Sequence, residues 1–254
     1  MLRYQLRNTI LTPAALISVL GLYLFMILSV APHPTTDIMY NYQYATQIGY
    51  GSYFMPVAVV IPICFFLHHT GSQKDRQFPL IRSRLSAYTG SAVATASLSG
   101  MVVAFCAFLL FTLTCLVYSP DGTPYIGLGL VRGFQGLAFY ARFSDKPIVI
   151  YSIMGAVYTL NGAMWPLISL LCFSFTANQY VVASIPFILK TLIAYVSSML
   201  EWFYLDPGQL MLFGGVSGAL PGGGIPYMLC YIGIVVAFCA GIWLIRANRT
   251  VRYA

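Results

Sequence analysis

The sequence predicts an all-α integral membrane protein, a single domain over residues 1–254 with six transmembrane helices and both termini cytoplasmic. Three observations carry that expectation. Hydrophobic residues fill 59% of the 254 positions and charged residues only 7%, with a mean hydropathy of +0.80, whereas a soluble domain carries charge on roughly a quarter of its residues. The apolar residues gather into runs of the length a membrane crossing needs, about 20 residues of helix for about 30 Å of hydrocarbon. All the lysines and arginines but one avoid those runs, and they crowd to one side of the resulting topology.

Taken in chain order, the runs place spans at 13–31, 53–69, 88–118, 148–176, 180–200 and 227–245. The first, PAALISVLGLYLFMILSVA, is uninterrupted. The second is short and carries Pro56 and Pro62; neighbouring helices can satisfy the carbonyls that prolines free. The third and fourth exceed a perpendicular crossing, so each must tilt, bend or project beyond the bilayer. The fifth carries Pro186 and Lys190, and the sixth follows a glycine-rich stretch, GGVSGALPGGGIP.

Orientation follows from the basic residues. With a cytoplasmic N terminus, the inside receives Arg3, Arg7, Lys74, Arg76, Arg82, Arg84, Arg246, Arg249 and Arg252, and the outside receives Arg132, Arg142 and Lys146. The acidic residues agree: Asp37, Asp121, Asp145, Glu201 and Asp206 fall outside and Asp75 inside. The net charge of +7 is therefore an inner-face girdle of the kind that anionic lipid attracts, not a nucleic-acid footprint. The first run has the Arg-bearing start of a signal peptide, but it is longer than a signal core and Pro32 would directly follow the cleavage site, so a retained helix is expected.

A search for chemistry returns absences. The six cysteines, Cys64, Cys106, Cys115, Cys172, Cys230 and Cys239, all lie in predicted spans and form no CxxC pair; they read as small buried hydrophobes. Gly215-Val216-Ser217-Gly218 matches the GxSG of intramembrane serine proteases, but no His follows His69 to act as its base. Adjacent His68 and His69 diverge by about 100° on a helix and have no third ligand nearby, so no metal site is expected. The glycine-rich stretch lacks the Lys-Ser/Thr of a phosphate loop. Neither cofactor nor metal is expected on this chain.

The most informative polar segment is the gap SQKDRQFPLIRSRL between the second and third spans, with Lys74, Arg76, Arg82 and Arg84. Phe78, Ile81 and Leu85, spaced three and four apart, share one face of an amphipathic segment, while Arg82 and Arg84 point elsewhere. Two roles are open for these arginines: snorkelling anchors that fix topology, or contacts to a cytoplasmic partner. Size, topology, this basic gap in FPLIRSRLSAYTGSAVATASLSG and the Asn-bearing turn in SFTANQYVVASIPFIL resemble the permease subunit of the type-2 ATP-binding cassette (ABC) exporter family in its short bacterial form. The resemblance implies a coupling helix between helices 2 and 3 that docks a separate cytoplasmic ABC ATPase, in two copies, with ATP and Mg bound there and not here. It also implies a second permease subunit, identical or paralogous, in a bacterial cytoplasmic membrane, and export of a peptide, drug or other amphiphile.

Such a machine needs rigid helices hinged at few places. Pro62, Asn161-Gly162 with Pro166, and Pro186 are the candidates, against plain packing kinks. Lys190, about 16 Å along its span at 1.5 Å per residue, falls near mid-bilayer, where a cation costs about 2.5–3.5 kcal/mol or more. It must therefore snorkel to headgroups, bond carbonyls freed near Pro186, or line the translocation path with Asn161. Tyr40, Tyr42 and Tyr44 form an outer interfacial belt or gate, and Arg132 and Arg142, among Leu, Phe and Tyr, an outer-leaflet surface. Other classes stay in view. An ATP-independent transporter or channel normally shows paired intramembrane charges or inverted repeats, and a membrane enzyme needs an acid, base or metal constellation; the sequence displays none of these.

Overall fold

The structure, a computed structural model, describes residues 2–31, 41–42, 44–70, 85–118, 147–176, 178–202, 206 and 225–252. All regular structure among them is helical: α1 (Leu2–Ile10), α2 (Pro13–Val30), a π-turn (Tyr44–Ile48), α3 (Tyr50–Ala58), α4 (Ile61–Thr70), α5 (Leu85–Tyr118), α6 (Pro147–Phe173), α7 (Gln179–Met199) and α8 (Ile225–Arg252). Five helical stretches among the described residues are long and apolar enough to cross a membrane: Pro13–Val30, Tyr50–Leu67, Gly90–Val117, Ser152–Phe173 and Gln179–Met199. The expected sixth span falls on α8, whose apolar part, Leu229–Trp243, is shorter than a crossing.

Local sequence explains the helix ends. Thr12 caps α2 by accepting the Ala15 N–H at 3.2 Å, with Pro13 at the first helical position, where a missing N–H costs nothing. Asn178 caps α7 by accepting from Tyr180 and Val181 N–H at 3.0 and 3.4 Å. The far end of α7 closes through Glu201, at φ 57°, and the bonds Trp202 N–H to Ser197 C=O at 2.9 Å and Glu201 N–H to Ser198 C=O at 3.4 Å. These are the two bonds of a Schellman cap. Helix α1 has no counterpart among the expected elements. It packs on α4 and α5 through polar residues: Gln5 and Thr9 are its buried members, and Thr95 Oγ1 donates to Gln5 Oε1 at 3.3 Å.

Contacts fix the relative directions of three of the helices. Tyr23 and Thr114 share a hydrogen bond at 2.8 Å while Gln5 meets Thr95, so α2 runs parallel to α5. On α5 and α6, Gly100 faces Gly162 and Phe108 faces Gly155, an antiparallel pair. Helix α6 is the axle of the bundle. It packs on α5, α8, α7, α4 and α3 and buries Met154, Tyr158, Asn161, Trp165 and Leu167. Outward faces stay apolar, for example Leu16, Leu20 and Leu24 on α2 and Ile188, Leu192 and Tyr195 on α7, as lipid contact requires.

Candidate functional site

The second span is broken. Helix α3 ends at Ala58, Val59 and Val60 turn, and α4 restarts at Ile61. Pro62 lies in the first turn of α4, where its absent N–H would have been unpaired anyway, so one expected hinge coincides with a discontinuity. Pro56 lies inside α3 and cannot donate to the carbonyl four residues earlier. That carbonyl belongs to Ser52, and at membrane depth an unpaired carbonyl costs several kcal/mol.

Lys190 meets this need. Its Nζ donates to the Ser52 carbonyl and, at 3.1 Å, to Ser52 Oγ. The ammonium also lies 5.1 Å from the centre of the Tyr53 ring, within cation–π range. Lys190 is 9% exposed, so of the three placements open to it, it bonds a proline-freed carbonyl, but that of Pro56 instead of Pro186. Asp206, 6% exposed, lies within electrostatic range of Lys190 and of Tyr231 on α8. The acid expected in the outer connection is thus buried.

Two further spans grip the same turn of backbone. Gly51 N–H donates to Ser29 Oγ of α2 at 3.3 Å, and Tyr158 Oη of α6 donates to the Gly51 carbonyl at 3.4 Å. A side chain at Gly51 would strike the Ala45 carbonyl and come within 2.7 Å of Met26 Cγ, so only glycine lets the π-turn and α2 close on it. One residue on from Tyr53, Phe54 stacks with Phe25 at 4.2 Å and with Phe187 at 6.1 Å between ring centres. The Gly51–Ser52 turn is therefore a hub at which α2, α6 and α7 all hold one half-helix.

Pro186, inside α7, is resolved in the same way. Pro186 frees the Val182 carbonyl, and Ser169 Oγ of α6 donates to it at 3.0 Å. Pro166 frees the Gly162 carbonyl, which lies against Gly100 so closely that a Gly100 Cβ would overlap it. Gly162, Pro166 and Pro186 are thus packed contact points in this arrangement. Asn161, 3% exposed, accepts from Trp165 Nε1 at 3.0 Å and braces its own helix. Tyr42 is not on an outer surface: at 1% exposure its ring meets Phe108 edge-on at 4.7 Å. Tyr44 is half-buried in the π-turn.

Leu85 opens α5. Lys74, Arg76, Phe78, Ile81, Arg82 and Arg84 lie outside the described residues, as do Tyr40, Arg132 and Arg142. Among the described residues no group of His, Cys, Asp and Glu is placed to hold a metal. Ser29, Gly51, Ser52, Tyr158 and Asp206 were not legible as site residues; the one signal was Pro56, since counting back four residues names Ser52. Comparison of the chain with protein-family models, with curated proteins and with solved structures finds no match.

Proposed function

We propose that this chain is the permease subunit of an ATP-driven exporter of the type-2 ABC kind, seated in a bacterial cytoplasmic membrane with a second permease copy or paralogue. A separate ATPase subunit docks on the basic gap at residues 71–84 and drives it. The carrying observation is the broken second span. Its inner half, α4, leads directly into the basic gap, while its outer half, α3, is gripped at Gly51–Ser52 by three other spans. A push on the gap would reach α4 first and meet the break at Val59–Val60 before the hub. Discontinuous helices at membrane depth are characteristic of transport sites, and the apolar surroundings suit an amphiphilic cargo.

A second reading has one observation in its favour. Lys190 and Asp206 are both buried and within electrostatic range, the kind of paired intramembrane charge used by transporters that run without ATP. The two readings part in one experiment: mild-detergent purification of the tagged chain from its native membrane, with identification of co-purifying proteins and a test of ATP hydrolysis. A stoichiometric nucleotide-hydrolysing subunit supports the permease reading. Its absence, with transport collapsed by a protonophore, selects the second.

A further inference from the structure

Helix α1 buries a polar face and exposes a basic one. Gln5 and Thr9, one turn apart, are its buried residues. Both are fixed in place: Thr95 Oγ1 of α5 donates to Gln5 Oε1 at 3.3 Å, Thr9 Oγ1 to the Gln5 carbonyl at 2.7 Å, and Thr12 Oγ1 to the Thr9 carbonyl at 2.9 Å. Arg3 and Arg7 each stand two residues before this pair, which at about 100° per residue turns them to the opposite face, and both are exposed. Among the described residues neither arginine has a hydrogen bond or an ion pair. Tyr4 and Leu11 share one flank of the arginine face and are 66% and 76% exposed.

The depth of α1 follows from its partner. The apolar stretch of α5, Gly90–Val117, has 28 residues, about 42 Å of helix at 1.5 Å per residue, enough for the hydrocarbon and both headgroup layers, about 40–45 Å. Thr95 lies about 8 Å inside its start, so α1, held to Thr95 through Gln5, sits where headgroups meet hydrocarbon. Helix α2 then begins its crossing at Pro13. In that layer Tyr4 and Leu11 have acyl chains to cover them, and the arginine face meets phosphates. Side chains four residues apart on a helix have Cβ atoms about 5–6 Å apart, and two like charges at that spacing repel until an anion lies between them. A phosphate satisfies both, since each guanidinium offers it a planar fork of donors.

We propose that the outward face of α1 is a binding site for the headgroup of one anionic phospholipid, with Arg3 and Arg7 on its phosphate and Tyr4 and Leu11 along its acyl chains. The site does not involve the basic gap at 71–84 and goes beyond the permease assignment, since it stands whether or not an ATPase partner exists.

The test uses the full-length purified chain in nanodiscs of phosphatidylcholine and phosphatidylglycerol, with one or the other lipid brominated on its acyl chains to quench a nearby indole. Tyr4→Trp places the reporter on α1, and Tyr195→Trp, at a position 63% exposed on α7, places it on a lipid-facing surface elsewhere; in each case the emission added over that of the parent chain, with its three tryptophans, is read. Brominated phosphatidylglycerol is expected to quench Tyr4→Trp in preference to brominated phosphatidylcholine, with no such preference at Tyr195→Trp. Arg3→Gln and Arg7→Gln are each expected to lower that preference by about fivefold, the factor one basic residue carries at an anionic surface, and Arg3→Lys with Arg7→Lys to retain most of it. Inorganic phosphate at matched ionic strength should leave it unchanged. Equal quenching of Tyr4→Trp by the two lipids, a preference that survives both Gln substitutions, or the same preference at Tyr195→Trp overturns the site. A preference abolished by inorganic phosphate would mark a soluble-anion site and overturn the lipid as its occupant.

Discussion

Gly100→Ala tests the close contact between α5 and α6 that sets the axle of the bundle. A methyl group built at Gly100 overlaps the Gly162 carbonyl oxygen and sits 2.6 Å from Pro166 Cγ; one built at Gly162 sits 2.7 Å from Ala104 Cβ and 2.8 Å from the Gly100 carbonyl oxygen. The blocking atoms are backbone and a proline ring, which do not swing aside, so the helices must separate. Overpacking of this kind costs about 1–3 kcal/mol, and the upper end applies because no side chain can yield. Ala is a better helix former than Gly by about 1 kcal/mol, which leaves a net loss of about 2 kcal/mol. Gly155→Ala should cost less, since its methyl meets the end of the Phe108 ring at 2.7 Å and a ring can tilt. Gly233, with nothing within 4 Å, is the control: Gly233→Ala should be neutral or stabilising. Thermal unfolding in detergent, followed by dye capture of buried Cys64 and Cys239, ranks the three. Equal midpoints for Gly100→Ala and Gly233→Ala would refute the close approach.

Ser169→Ala should cost about 1–3 kcal/mol by leaving the Val182 carbonyl buried and unpaired, and much less in a Pro186→Ala background, where the restored N–H takes that carbonyl. Equal costs in both backgrounds, read from the same unfolding assay, would contradict the pairing of proline and serine. Asn178→Ala should lose about 0.5–2 kcal/mol through the α7 cap, and a midpoint unchanged from the parent would remove Asn178 from that role. In intact cells and a background free of native cysteine, a thiol at Asp121 should react with an impermeant reagent added outside and one at Gln73 should not. A thiol at Asp206, which is buried, should label slowly. Labelling at Gln73 alone would invert the orientation.

Much of this architecture was legible in the sequence because it depends on local pattern. The apolar runs at 13–31 and 180–200 match α2 and α7 to within a residue, and the third run, placed at 88–118, covers all but the first three residues of the 34-residue α5. Pattern failed where burial is polar. Helix α1 escaped because its core-facing residues are Gln5 and Thr9, and its partner Thr95 lies 90 residues away. Tyr42 was misread for the converse reason: tyrosines dense in a polar stretch suggest an interface, but this ring completes an aromatic cluster with Phe108 and Phe111 that only the folded chain assembles. Lys190 marked itself by its charge in an apolar helix. Its partner, 138 residues earlier, needed the proline arithmetic at Pro56 together with the packing of α7 on α3. The sixth run illustrates a third limit: Arg246, Arg249 and Arg252 extend α8 as helix without extending its apolar face.

The central claim, that force from a separate ATPase enters through the basic gap, is tested most directly by Arg82→Glu with Arg84→Glu in the same chain. Charge reversal changes Coulomb attraction without removing a core side chain, so expression and membrane insertion should match the parent. The measurement is ATPase co-purification together with cargo-stimulated ATP hydrolysis of the reconstituted complex. The account predicts loss of both in the double reversal. Parental co-purification and parental stimulated hydrolysis would contradict it.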